Sequence, residues 1–237
     1  MNPSIFKAYD IRGIYPDQLD EKAAWKIGHA TAQFLRSMLR GYERGLSNAQ
    51  SVCVGYDMRT HSPSLAKALI EGMNAARTNV IDIGMIDTPQ MYFAINHLGT
   101  CGGVQVTASH NPAKYNGFKI SGQQAKPIGA DTGLKDIKHI ATALLHTLGR
   151  PDGSVERCDL TQEYKRHVLK FLEPNRRSLK VVVDASNGMA GKMVPAIFGD
   201  VSDLELIGIN LKHNGTFVHD PNPLIEANLA QLRQTVR

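Results

Sequence analysis

Apolar positions along the chain fall into two alternating patterns. Short continuous runs occur at Val52–Gly55, Val80–Gly84, Gly103–Val106 and Val181–Val183, each bounded by polar or glycine-bearing residues. Runs of this length predict strands buried on both faces. Between them, apolar residues recur at helical spacing. After Asp20, an N-cap residue type, Ala24, Ile27, Thr31, Phe34 and Met38 fall on one stripe. Ser62-Pro63 and Thr88-Pro89 each put a capping hydroxyl before a proline at the first helical position. Further helical stretches are expected from Asp131 to Leu148, from Thr161 to Glu173-Pro174, and from Leu224 to Val236. Strands that alternate with helices predict an α/β fold.

The polar break at Gly149-Arg150-Pro151-Asp152-Gly153-Ser154 marks a boundary, giving domains 1–148 and 149–237. Residues 52–84 and 181–209 both read strand, polar turn, helix, strand, which hints at two similarly built units. The second unit is expected to be incomplete, because a parallel layer returns from its helix into a further strand.

Composition narrows the function classes. With 42% hydrophobic and 21% charged residues, disordered, collagen-like and coiled-coil chains are excluded. Lys plus Arg exceed Asp plus Glu by 27 − 22 = 5, and the cations (Lys7, Arg12, Arg36, Arg59, Lys119, Lys192) are scattered. A nucleic-acid partner is not expected without a denser basic stripe; a cleft for a small anionic substrate and a merely solvated surface both remain open. No apolar run approaches the ~18–20 residues that span a bilayer, so no membrane partner is expected. Met1–Lys7 lacks a signal-peptide pattern. Cys53, Cys101 and Cys158 are far apart and form neither a zinc pattern nor a disulfide framework. Reduced thiols and a cytoplasmic location are the expectation.

Candidate chemistry concentrates at Thr107-Ala108-Ser109-His110-Asn111-Pro112, directly after a predicted strand. The carboxyl end of a buried strand is where α/β folds place reactive groups. Asn111-Pro112 forces a turn there, since a residue before proline is driven out of helical conformation. A turn merely stabilised by Ser and Asn side chains is the competing reading. A serine hydrolase is disfavoured. No Gly-x-Ser-x-Gly elbow is formed around Ala108-Ser109-His110, and adjacency does not make His110 its base. The segment Asp184–Met193 resembles a phosphate loop only superficially: Ser186 stands at the first glycine position and Met193 at the Ser/Thr position.

Together with Tyr115-Asn116-Gly117-Phe118-Lys119, the Thr107–Pro112 segment resembles the active-site signature of the α-D-phosphohexomutases. Phe6–Gly13, Val54–Arg59, Val181–Asp184 with Asn187-Gly188 and Ala190-Gly191, and His219–Pro223 resemble further motifs of that family, in order. The Phe-Lys after Asn-Gly leans toward its phosphomannomutase/phosphoglucomutase branch. The resemblance implies two three-layer α/β/α units of the phosphohexomutase type, the second truncated before the metal-binding loop. It also implies an enzyme that exchanges phosphate between the 1- and 6-positions of a hexose. Ser109 then carries the phosphoryl group and ligates metal through it; Lys119 is the acid or base; Arg12 meets phosphate; Tyr9 and His110 line the site. Asp57 and Arg59 read as a structural ion pair. Magnesium and glucose or mannose 1,6-bisphosphate are the implied cofactors, and a phosphorylated hexose is the implied partner. The family's Asp-Gly-Asp metal loop is absent, since Asp152-Gly153 is followed by Ser154. The chain alone is therefore expected to be inactive. A non-catalytic phosphosugar-binding or assembly module that keeps the fold is the rival reading.

Overall fold

The computed structural model describes residues 1–39, 48–144, 152–173 and 177–236. Its contacts divide the chain into two units. The first comprises Met1–Asp57, His61–Ala108 and Lys114–Asp159; the second comprises Leu160–Arg237 together with Met58–Thr60 and Ser109–Ala113.

In the first unit the elements follow one another as β1 (Ile11–Ile14), α1 (Glu21–Ser37), β2 (Ser51–Tyr56), α2 (Ser62–Ala75), β3 (Asn79–Met85), α3 (Thr88–Leu98), β4 (Gly102–Val106), β5 (Tyr115–Gly122), α4 (Lys135–Ala143) and β6 (Val155–Arg157). The sheet runs β1-β5-β4-β2-β3-β6. Strands β4, β2, β3 and β6 are parallel, and β5 is antiparallel to both β4 and β1.

Alternation along the pleat gives each face its own helices. Val52, Val54, Val104, Val106, Phe118 and Ile120 are buried in one core with Ile27, Leu35, Leu65, Leu69 and Ile137 of α1, α2 and α4. The opposite face meets α3. The consecutive glycines of β4 show the division: a Cβ on Gly102 would lie 2.9 Å from Leu35 of α1, and one on Gly103 2.6 Å from Met91 of α3. The sheet is thus flanked by helices on both faces, as the α/β pattern predicts. Helices α1 and α2 cross almost backbone to backbone. A Cβ on Gly28 would sit 2.9 Å from the Leu69 carbonyl carbon, and one on Gly72 2.8 Å from that of Trp25, with the oxygens nearer still.

Several helix ends differ from expectation. Asp20 caps α1 as predicted, accepting from Ala23 N at 2.8 Å. For α3 the cap is Asp87, one residue before Thr88, and it accepts from Gln90 N at 2.9 Å. Helix α2 is capped at His61 without a side-chain bond, because the Ser62 hydroxyl is directed to Asp57 instead. The predicted helix from Asp131 begins as a π-type turn, Ala130–Leu134, with Gly133 at φ +130°. Only Lys135–Ala143 is α-helical and Leu144 is extended; residues 145–148 lie outside the described residues. So do Gly149–Pro151 of the expected boundary. The strand after that break, β6, pairs with β3 in the first unit's sheet.

The second unit is small. It holds α5 (Thr161–Leu169), β7 (Leu179–Asp184), α6 (Ala190–Phe198), β8 (Leu204–Ile209) and α7 (Ala230–Val236). Strands β7 and β8 are parallel, so β2-α2-β3 and β7-α6-β8 share one build, as their sequence patterns predict. Helix α5 ends at Leu169, short of Glu173, and Pro174 lies outside the described residues. The stretch from Leu224 becomes a 3-10 turn at Glu226–Leu229 before α7. No described helix is long and apolar enough to cross a membrane.

Candidate active site

Register decides where the cationic candidates go. Ile11 pairs with Phe118 and Arg12 with Gly117, while Gln105 pairs with Lys119. Ile11 and Phe118 are fully buried, so Arg12 and Lys119 share the opposite face of adjacent strands. Between them stands Asp10, 3.9 Å from Arg12 Nη2 and 4.0 Å from Lys119 Nζ. Both cations keep 32% of their side-chain surface exposed, against 17% for Asp10. At these distances the shared carboxylate orients the pair weakly and leaves both heads able to meet an anion. Tyr9 is 84% exposed.

The end of β4 is fixed by a buried polar network. Asp57 accepts from Ser62 Oγ and from Thr107 Oγ1, each at 2.6 Å. Asn116 Nδ2 reaches Ser62 Oγ and His61 Nδ1, both at 2.8 Å. His61 stacks on Tyr15 at 4.7 Å, and the Tyr15 hydroxyl donates to Glu21. Burial pushes the Glu21 carboxyl upward, but hydroxyls from Ser64 and Tyr15 outweigh it and hold the group below its ordinary value. The same Glu21 bond, with burial, raises Tyr15. A buried carboxylate such as Asp57 is tolerable only when charge-assisted bonds replace its water. Here those bonds lock Thr107, two residues before Ser109.

Ser109–Ala113 forms the β4–β5 connection and belongs by its contacts to the second unit, as does Met58–Thr60. Ser109 takes φ +54°, a left-handed conformation uncommon for a residue with a Cβ. Its exposed Oγ lies 3.4 Å from His110 Nδ1, longer than a normal O–H···N bond. Beneath the loop, Arg59 is 1% exposed. Its Nη2 donates to Ser109 O at 2.8 Å and Asn111 O at 2.7 Å, and its Nη1 to Pro112 O at 2.9 Å. The guanidinium carbon lies 5.1 Å from the Phe217 ring centroid, within cation–π range.

The structure therefore groups Arg12 with Lys119 through Asp10, and Ser109 with His110 on one loop. Sequence reading gave Asp10 no part, although it lies inside the Phe6–Gly13 motif. It did not place Arg59 on the loop carbonyls. No periodicity marks a buried arginine whose partners are backbone atoms fifty residues away.

The Asp184–Met193 turn is a strand-to-helix connection, with Ser186 at φ +51° and Asn187 at φ +58°. Ser186 Oγ lies 3.1 Å from His219, which lies 3.2 Å from Asp184. The geometry is not that of a nucleophilic triad: Ser186 Oγ is equally 3.1 Å from Nδ1 and Nε2, while Nε2 also faces Asp184 and Nδ1 the Asp220 carbonyl, so no single nitrogen is aimed at the serine as its base. The Asp220 carbonyl and Asp184, acting against burial, raise His219 above its ordinary value. Burial alone would raise Asp184; bonds from Asn210, Ser186 N–H and His219 hold it lower. Among the described residues no group of three or more His, Cys, Asp or Glu could hold a metal ion. They do not fit the magnesium shell that the resemblance implies.

Comparison with known proteins agrees with this architecture. The family profile "Phosphoglucomutase/phosphomannomutase, alpha/beta/alpha domain I" matches residues 3–146, and that for alpha/beta/alpha domain II matches residues 162–237. A phosphomannomutase of Salmonella montevideo is 38% identical over 94% of this chain and 48% of its own length. A phosphomannomutase of Vibrio cholerae is 37% identical over 98% of the chain and 50% of its own length. The chain thus spans about half the length of the curated relatives it matches. The crystal structure of a phosphoglucomutase/phosphomannomutase family protein from Burkholderia thailandensis superposes with a TM-score of 0.85 at 33% identity, covering 100% of this chain and 50% of that one. Matched by both domain profiles across most of its residues, the chain belongs to the phosphoglucomutase/phosphomannomutase family.

Proposed function

We propose that this chain supplies the phosphoryl-carrying segment of a phosphohexomutase that interconverts hexose 1- and 6-phosphates, with mannose and glucose as the substrate sugars. The observation that carries this reading is Ser109. It stands at the end of β4 in the Thr107–Pro112 motif, in a left-handed conformation that exposes its hydroxyl.

Phosphoserine brings roughly −1.5 to −2 charges, and phosphoryl transfer depends mainly on positioning and charge stabilisation. The chain's own groups suit that task. A sugar hydroxyl oxygen attacks the Ser109 phosphorus; the new P–O bond forms as the bond to Ser109 Oγ breaks. The hydroxyl proton passes to the base, assigned to Lys119. The resulting hexose 1,6-bisphosphate turns over and returns its other phosphoryl group to Ser109 by the reverse exchange. Arg12 contributes a planar donor array matched to phosphate oxygens, and His110 and Tyr9 border the reacting groups. Magnesium would meet the Ser109 phosphate from this chain, but its remaining oxygen ligands are not grouped among the described residues. The chain by itself is accordingly inactive in this reading.

The test uses the full-length protein. After incubation with hexose 1,6-bisphosphate, peptide mass spectrometry is expected to find one phosphoryl group on Ser109, and Ser109→Ala to lose it. Phosphate found only on other serines refutes the assignment. Lys119→Ala is expected to lower kcat by ~10²-fold or more in a coupled mutase assay, as for a lost proton-transfer group. Normal turnover by that variant removes Lys119 from the mechanism.

A further inference from the structure

We infer that Arg59 is the positioning residue that sets the Ser109 loop for phosphoryl transfer, with the Phe217 ring holding its guanidinium in place. The inference rests on the reading of Ser109 as the phosphoryl carrier. Arg59 is enclosed almost completely, and burying a charge is costly unless its donors are satisfied. Its fork closes on the carbonyls of Ser109, Asn111 and Pro112 at 2.7–2.9 Å. These acceptors are backbone atoms of the very turn that carries the nucleophile, so the guanidinium fixes chain conformation.

Two features of the loop need such an anchor. Ser109 sits at φ +54°, and a side-chain-bearing residue persists there only where its surroundings over-determine it. The trans peptide also sets N–H antiparallel to C=O. Drawing the Ser109 and Pro112 carbonyls onto Arg59 therefore turns the N–H groups of His110 and Ala113 to the face away from the guanidinium. Arg59 acts on the phosphoryl group through the backbone it orients, without touching it. Lysine could not substitute: its ammonium is a compact point donor, whereas the carbonyls are met by a planar fork. Phe217 covers Arg59, and Gly215 lets the chain before Phe217 approach closely. At φ +79°, a Cβ there would lie 2.8 Å from Met58 O and 2.9 Å from Thr60 N.

Arg59→Lys, Arg59→Ala and Phe217→Leu in the full-length protein test this. Single-turnover transfer from hexose 1,6-bisphosphate to Ser109 is followed by mass spectrometry; the sugar O–P bond breaks, the Ser109 Oγ–P bond forms, and the serine proton ends on the sugar oxygen. Both Arg59 variants are expected to slow this step and kcat by about 10²-fold with KM changed less than about threefold, the size of a loss from misplaced reacting groups. Phe217→Leu should show the same split, with a loss of about tenfold. Methylguanidinium should restore much of the rate to Arg59→Ala and none to wild type, and amide exchange at residues 109–113 should quicken in the variants. Unchanged transfer in folded Arg59 variants, or a loss confined to KM, overturns the proposal. If Arg59→Ala and Arg59→Lys fail to fold, Phe217→Leu decides: unaltered transfer overturns it. A wild-type Ser109 that takes no phosphate overturns the carrier reading and this inference together. A labelled Ser109 indifferent to Arg59 overturns this inference alone.

Discussion

Replacing Gly72 by Ala tests how closely α1 and α2 are pressed together. Alanine in a helix interior ordinarily gains about 1 kcal/mol over glycine, because it restricts the unfolded chain and solvates the backbone less. At Gly72 the new methyl would stand 2.8 Å from the Trp25 carbonyl carbon, whereas carbon atoms rest at about 3.5–4.0 Å. The obstacle is backbone, so no rotamer change relieves it, and because the carbonyl oxygen is nearer still the helices must part by more than about 1 Å. Overpacking of this kind costs about 1–3 kcal/mol. With rigid atoms on both sides the upper figure applies, and about 2 kcal/mol of net destabilisation remains after the propensity gain. Gly28→Ala meets the Leu69 carbonyl from the other helix and should cost a similar amount. The double variant should cost clearly less than the two together, since one separation accommodates both methyls. Trp25, the only tryptophan, lies on α1 at the crossing, so its fluorescence during urea unfolding reports this unit. With a slope of ~2 kcal/mol per molar urea, the midpoint should fall by about 1 M. Gly122→Ala is the control: its Cβ would meet nothing closer than 3.5 Å, and its midpoint should hardly move. A Gly72→Ala midpoint at or above wild type would refute the reasoning.

Two further outcomes follow from the titrating groups. The Asp184–His219 contact contributes stability fully above the ordinary Asp value of 3.8 and below the ordinary His value of 6.5. It is lost as pH falls through the lowered Asp184 pKa and as pH rises through the raised His219 pKa. An NMR titration should place the His219 midpoint above 6.5, and Asp184→Asn should bring it down; a midpoint at or below the ordinary value contradicts the contact. Burial pushes the Cys53 and Cys101 thiols up to about 12, so at neutral pH a thiol reagent should label Cys158 alone until the chain unfolds. Rapid native-state labelling of either buried thiol would show that the β2–β4 core opens.

Legibility tracked burial. Strands β2, β3 and β4 were readable because uninterrupted apolar runs mark strands shielded on both faces, and α1 announced itself through Asp20 and a long apolar stripe. Strand β7 was found by the same kind of run, but Val181–Val183 are only half-buried, not shielded on both faces as expected. The edges were silent. Ile11-Arg12-Gly13-Ile14 is too short to show alternation, and Val155-Glu156-Arg157 is exposed along its length, so neither β1 nor β6 carries a pattern. The caps of α2 and α3 were misplaced by one residue because a serine or threonine before proline offers two solutions. Neighbouring carboxylates chose between them, with Asp57 claiming the Ser62 hydroxyl and Asp87, one residue earlier in the chain, taking the α3 amide. At the candidate site, residue types in a recognisable string are what nominate Ser109, Lys119 and Arg12. The service of Arg59 and Asp57 is different in kind. The loop carbonyls that Arg59 meets and the Thr107 hydroxyl that Asp57 meets lie about fifty positions away and leave no trace in local sequence.

The second unit gathers three separate stretches, residues 58–60, 109–113 and 160–237, so the chain passes from one unit to the other five times. A single crossover between two related genes cannot follow that division. Exchanging residues 160–237 with a relative would bring a foreign Phe217 environment to a resident Arg59 and a resident serine loop. The three stretches therefore behave as one heritable block despite their distance along the gene. Chimaeras that move all three together should retain the geometry around Ser109, and relatives should change at these positions in concert.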